Sequence, residues 1–95
     1  MTLEEVNNCL HNNTFIEEGT GSKYRFINKI MYVDEIPITI YSIEEKDDQF
    51  YIRHEKPLIT TNPMLIRIKT TPYETRIEFV DQIGLKLFCV LISTK

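Results

Sequence analysis

Four side chains in this sequence have the chemistry of soft metal ligands or of a nucleophile with its base: Cys9, His11, His54 and Cys89. Cys9 and His11 sit near one end, and His54 and Cys89 lie far along the chain. No Cys-x-x-Cys and no His-Glu-x-x-His brings two ligands onto one turn, so only long-range folding would assemble a zinc site. A nucleophile elbow of the form Gly-x-Ser-x-Gly is missing as well. Nucleophile, base and orienting group cannot be named together. The expectation is therefore a protein that is not an enzyme, with no metal site and no cofactor.

The remaining chemical patterns have simpler explanations. Gly19-Thr20-Gly21-Ser22-Lys23 looks like a phosphate loop, but the Gly-x-x-x-x-Gly-Lys-Ser/Thr spacing is absent and no helix follows it. A hairpin turn accounts for it. Carboxylates pair at Glu4-Glu5, Glu17-Glu18, Asp34-Glu35, Glu44-Glu45 and Asp47-Asp48. Neighbours on a strand point to opposite faces, so these pairs suit solvated turns better than acid–base work. The stretch from Glu44 to Asp48 lacks the spacing of a calcium loop. Aromatic and basic residues alternate in Lys23-Tyr24-Arg25-Phe26 and in Phe50-Tyr51-Ile52-Arg53-His54. Single-strand binders use such alternation, but inward packing of the rings explains it here. A face shared by Arg53, Arg67, Arg76 and Lys86 would reverse that judgement.

These residues must be positioned by strands. The 95-residue chain has no Ala and is rich in β-branched and aromatic residues, with 5 Phe and 5 Tyr. Its size fits one domain, residues 1–95. No run of apolar residues is long enough to span a membrane as a helix. Residues 1–48 carry 4 basic and 10 acidic side chains, and residues 49–95 carry 7 and 4, so the halves differ in sign at −6 and +3. The net charge of −3 weighs against general nucleic-acid binding. The first residues, Met-Thr-Leu-Glu-Glu, show no basic segment before an apolar run, which gives the expectation of a cytoplasmic protein without a signal peptide. Cys9 and Cys89 then read as two buried thiols.

Along the chain, Thr2 and Glu5 form a capping box, and Leu3, Val6 and Leu10 place one apolar face on a short helix that ends at His11-Asn12-Asn13. Thr14 to Glu18 reads as a short strand. Tyr24 to Tyr32 reads as one long strand, Asp34-Glu35 as a turn, and Ile36, Ile38 and Ile40 as one face of the next strand. A charged turn from Glu44 to Asp48 leads to a strand at Phe50 and Ile52. Pro57 and Pro63 bracket a connection from Glu55 to Asn62. Met64 to Val80 is a hairpin turning at Thr71-Pro72, with Lys69 facing Glu74, Ile66 facing Ile77, Met64 facing Phe79, and Arg67 facing Arg76 near Glu78. After a turn from Asp81 to Gly84, Leu85, Leu87, Cys89 and Leu91 occupy one face of the last strand, and Phe88, Val90 and Ile92 the other. A strand apolar on both faces is covered on both, and the N-terminal helix is the expected cover. The fold class is mainly β (α+β): a short helix, then an antiparallel meander of six or seven strands that curls strongly or closes into a small barrel.

This arrangement resembles the bacterial lipocalin-like (calycin-type) barrels. The points of likeness are the helix ending at Leu10, then Phe15, the strand Lys23-Tyr24-Arg25-Phe26, and Ile77-Glu78-Phe79 followed by Asp81 and Gly84. The chain departs from that pattern in having no Trp, with Asn12 to Phe15 where the family places Gly-x-Trp. The resemblance implies a small apolar ligand. Such a ligand would lie inside, near Phe26, Ile38, Ile40, Phe50, Ile66, Ile77, Phe79 and Leu87. The other reading is a protein partner or a homodimer held through a sheet edge or through Phe88, Val90 and Ile92. Neither reading involves nucleic acid or a membrane.

Overall fold

A computed structural model describes residues 1–55, 63–81 and 86–94. The expected connection from Glu55 to Asn62 and the turn from Asp81 to Gly84 thus fall largely, and Leu85 wholly, outside the described residues.

The helix forms where the capping box places it. α1 spans Leu3–His11, with Thr2 Oγ1 accepting from the Glu5 amide at 3.1 Å and Glu5 Oε1 accepting from the Thr2 amide at 2.8 Å. Both groups satisfy amides that the first turn leaves without partners. At the other end Asn13 Nδ2 donates to the Cys9 carbonyl at 2.7 Å, which occupies one orphan acceptor.

Eight strands follow: β1 (Phe15–Glu17), β2 (Lys23–Ile27), β3 (Ile30–Val33), β4 (Ile36–Lys46), β5 (Gln49–His54), β6 (Met64–Thr70), β7 (Glu74–Asp81) and β8 (Lys86–Thr94). Each pairs antiparallel with its neighbour in sequence, and β1 pairs back onto β8 through Ile16↔Ile92 and Glu17↔Leu91, so the barrel is closed. Closure removes the free edges that an open meander would expose.

The count exceeds the six or seven expected because the stretch from Tyr24 to Tyr32 is two strands. Asn28 and Lys29 both take positive φ, 50° and 64°, and turn the chain between them. Asp34-Glu35 and Asp47-Asp48 do the same. All three are two-residue turns whose twist matches that of the flanking strands. The charged turn at the end of β4 is shorter than expected, since Glu44 to Lys46 still pair with β5.

The β6–β7 hairpin also differs from its expected register. Thr71 Oγ1 accepts from the Tyr73 and Glu74 amides and widens the turn, so Thr70 pairs with Thr75, Ile68 with Ile77, Ile66 with Phe79 and Arg67 with Glu78. The slip is two residues, which preserves every side chain's face.

Inside the barrel, Phe15, Phe26, Ile52, Ile77 and Leu91 join Val6 and Leu10 of α1, all fully buried. Phe26 stacks edge-on against Phe15 and Tyr41, with centroids 6.2 and 5.3 Å away. An eight-stranded barrel is just wide enough for side chains to fill. The helix does not cover β8 as expected. It packs on β2 and β4, and Val6 and Leu10 enter the core from the barrel end where β1 begins.

Candidate functional site

Two irregularities in the strand pairing decide which side chains face water. In β4, Thr39 pairs with Met31 and Pro37 with Tyr32, so Ile38 has no partner. In β8, Cys89 pairs with Phe79 and Leu87 with Val80, so Phe88 has none. Each is a β-bulge, an extra residue that bends the strand and interrupts the alternation of its faces.

The consequences fall on the residues expected to line an interior. Phe26 and Ile77 have no accessible surface, Ile66 and Phe79 are buried, and Phe50 is half-buried against the same core. Ile38, Ile40 and Leu87 are not there. They lie on the outer wall, exposed at 42%, 51% and 51%. Past the bulge in β4, Thr39 and Tyr41 take the inward places. Past the bulge in β8, Cys89 and Leu91 stay in the core while Leu87 stands opposite Val80 outside. A strict period of two fails across a bulge.

Of the three residues expected at an interface, Phe88 is exposed at 49%, Ile92 is half-buried beside Ile16 of β1, and Val90 is buried. Val90 and Val80 are buried yet stand apart from the central core cluster, on the outward-facing positions of their strands. With half-buried Leu65 they form an apolar floor next to Leu87 and Phe88.

Charges surround this wall. Glu78 is buried on the outer face of β7, and Arg67, Arg76 and Lys69 approach its carboxylate at 3.3, 3.4 and 4.0 Å. Arg76 also meets Glu18 at 3.1 Å. Glu78 thus neutralises the neighbouring arginines, as the sequence suggested, although Arg67 faces it directly and Lys69 is the one opposite Arg76. Arg53 lies elsewhere, paired with Glu44 at 2.9 Å on β5, so it is separate from the Arg67–Arg76 group. Lys86 stands exposed beside Leu87.

The inner face near the opposite rim is polar. The Tyr24 hydroxyl donates to Glu17 Oε1 at 3.4 Å, and Thr20 Oγ1 donates to the same oxygen at 2.6 Å. Burial, helped by the Glu17 charge, pushes the Tyr24 phenol up to about 12. The Cys89 thiol rises to about 12 for the same two reasons, burial first. A thiol held protonated is a poor nucleophile. Burial lowers the His54 imidazole. Among the described residues, no three His, Cys, Asp or Glu side chains gather as a metal site. No described helix is long and apolar enough to cross a membrane.

Ile38 and Ile40 as a surface patch were missed in the sequence. The only local signal was an apolar alternation around Pro37, which reads equally well as a core-facing strand. No family model, curated protein or solved structure matches the chain. The class supported by its structure is a closed, eight-stranded antiparallel barrel with a helix at one end.

Proposed function

We propose that this chain is a non-enzymatic protein-interaction module that binds through the outer wall of β7 and β8. The observation that carries the reading is the bulge at Phe88. It turns an aromatic ring and Leu87 outward, with Leu87 opposite the buried Val80. Exposed aromatic side chains beside apolar neighbours are frequent anchors of protein interfaces. Arg67, Lys69 and Arg76 border this wall gathered around the buried Glu78, so the apolar side chains rather than free charge carry the contact.

The calycin-like reading, with a small apolar ligand inside, draws less support. Its candidate lining is divided between the fully buried Phe26 and Ile77 and the outward Ile38, Ile40 and Leu87. A side chain with no accessible surface touches no space that would admit a water molecule.

A photo-crosslinking residue in place of Leu87, used in the cells that make the protein, tests the reading. The expected result is a discrete protein adduct that Phe88→Glu removes. Failure of Phe88→Glu to change the adducts would overturn it. So would native mass spectrometry of the purified protein showing a monomer with a bound small molecule and no protein crosslink.

A further inference from the structure

Residues 1–18, an arm made of α1 and β1, give more to the core than their backbone pairing would suggest. Val6, Leu10 and Phe15 have no accessible surface and share one cluster with Phe26, Tyr41 and Leu91. β1 pairs with β2 at Phe15 and Ile16 and with β8 at Ile16 and Glu17, whereas β7 pairs with β8 from Glu74 to Asp81. The Glu18 amide donates to the Val90 carbonyl at 2.8 Å, and the Glu18 carboxylate meets Arg76 at 3.1 Å. His11 Nδ1 lies 3.3 Å from the Phe26 carbonyl. The arm is thus seated chiefly by apolar side chains, and these fit any copy of the same barrel equally well.

A turn built on two glycines joins the arm to the rest of the barrel. The Glu17 amide donates to the Ser22 carbonyl at 2.8 Å, and the Gly21 amide donates to the Glu17 carbonyl at 2.9 Å. Gly19 and Gly21 take φ of 100° and 76°, a region that residues with a side chain rarely adopt. Beyond its chain neighbours, a Cβ added at either glycine would meet nothing within 4 Å. The turn therefore stands clear of the barrel. Its left-handed backbone is what folding the arm back onto its own chain demands.

We propose that residues 1–18 exchange between two copies of this chain, pivoting on residues 19–22, so that α1 and β1 of each copy complete the barrel of the other. The seat between β2 and β8 then receives the same segment through the same contacts, and no new complementarity is needed. The closed chain and the exchanged pair differ only in the turn and in their dependence on concentration. Closure onto the same chain acts at an effective concentration on the order of millimolar, so the single chain prevails in dilute solution. Exchange needs the arm to open while other copies are abundant. The arm meets β8 at Leu91 and Ile92, away from Leu87 and Phe88, so the inference does not depend on what the β8 wall binds.

The test unfolds the full chain in urea, refolds it dilute and concentrated, and measures its mass by light scattering after gel filtration. Wild type is expected to return as a monomer when dilute and as monomer plus dimer when concentrated. Gly19→Val and Gly21→Val, made separately, strain the turn of the closed chain but not an extended hinge. That strain is worth roughly tenfold per hinge, and a dimer relieves two hinges, so each variant should raise the dimerisation constant on the order of 100-fold. Asn28→Val places the same kind of strain in the β2–β3 turn, where φ is 50°, and should stay monomeric. Ile16→Cys with Ile92→Cys, in a chain carrying Cys9→Ser and keeping the buried Cys89, reports which chain supplies β1. After oxidation, the dimer should run on a denaturing gel as two joined chains and the monomer as one. Dimer formation by neither glycine variant beyond the wild-type level would overturn the inference. A dimer crosslinked only within each chain would do so too, as would an Asn28→Val chain that dimerises as readily as Gly21→Val. Should both glycine variants misfold, the crosslink in concentrated refolded chains without them decides alone.

Discussion

The β4 wall and the β8 wall reach the surface by the same device and end as different surfaces. Each holds one unpaired residue, Ile38 or Phe88, that interrupts the alternation of its strand and turns apolar side chains outward. Beside Phe88 the outward positions hold the buried Val80 and Val90, and the buried carboxylate of Glu78 draws Arg67 and Arg76 around it. Beneath Ile38 there is only the half-buried side of β3, and Glu35 at the adjoining turn is paired with Lys23 and Arg25 of β2. The contrast teaches that a bulge decides whether an apolar residue is core or surface, while its neighbours decide what that surface can bind.

The largest effect should separate these walls from the interior they enclose. Phe26 has no accessible surface and lies between Phe15 and Tyr41. Phe26→Ala removes a ring from the centre of the core and should cost about 3–5 kcal/mol. Ile40→Ser and Phe88→Ser change side chains already half in water and should stay within about 0.5 kcal/mol. Urea unfolding of the three variants measures this. A large loss in either wall variant would mean that its wall is part of the core, and would break the comparison.

The same contrast explains how far the sequence could be read. The inward residues of β6 and β7 were legible, since Ile66, Ile77 and Phe79 alternate without interruption and a register slip of two residues leaves their faces unchanged. The helix was legible from Thr2 and Glu5, although its docking site was not, because Val6 and Leu10 fit a barrel end as well as a sheet face. The turn at Asn28-Lys29 was hidden. A two-residue turn of this kind usually announces itself with a glycine, and here Ile27 and Ile30 continue the apolar pattern on both sides. The bulges at Ile38 and Phe88 were hidden for a stronger reason. Nothing in an alternating run marks which residue will lose its partner, because that choice is made by the curvature the closed barrel demands. The candidate site lay where local pattern and closure disagree, so it was the least legible part of the chain.

A middle-sized effect should sharpen the electrostatic half of the comparison. Among the described residues, Glu78 on the β8 side is buried and shared by three cations, whereas Glu44 on the β4 side is exposed and pairs with Arg53. Glu78→Gln leaves Arg67 and Arg76 without their common partner and should cost about 1.5–3 kcal/mol, the range for hydrogen bonds to charged groups. Glu44→Gln should cost about 0.2–1 kcal/mol, as surface pairs do, and added salt should erase most of it. Equal losses for the two variants would remove the distinction between the walls.

The smallest effect concerns the inner face of the strands that carry the β8 wall. Cys89 lies next to the Phe88 bulge but points inward, and Tyr24 lies inward on β2. Their ordinary values are 9.0 and 10.0, and in the fold both stand near 12. Between those limits the unfolded chain has released protons that the folded chain still holds. Folding stability is therefore fully present below pH 9 and falls as pH rises through the folded values near 12. Urea midpoints measured from pH 9 to 12 should decline, and Tyr24→Phe should flatten the part of that decline above pH 10. Phe88→Ser should leave the whole slope unchanged, because the ring outside the bulge contributes nothing to the burial of the thiol inside it. A slope that flattened with Phe88→Ser would show that the outer wall shields the inner face, and the two sides of β8 would then have to be treated as one unit.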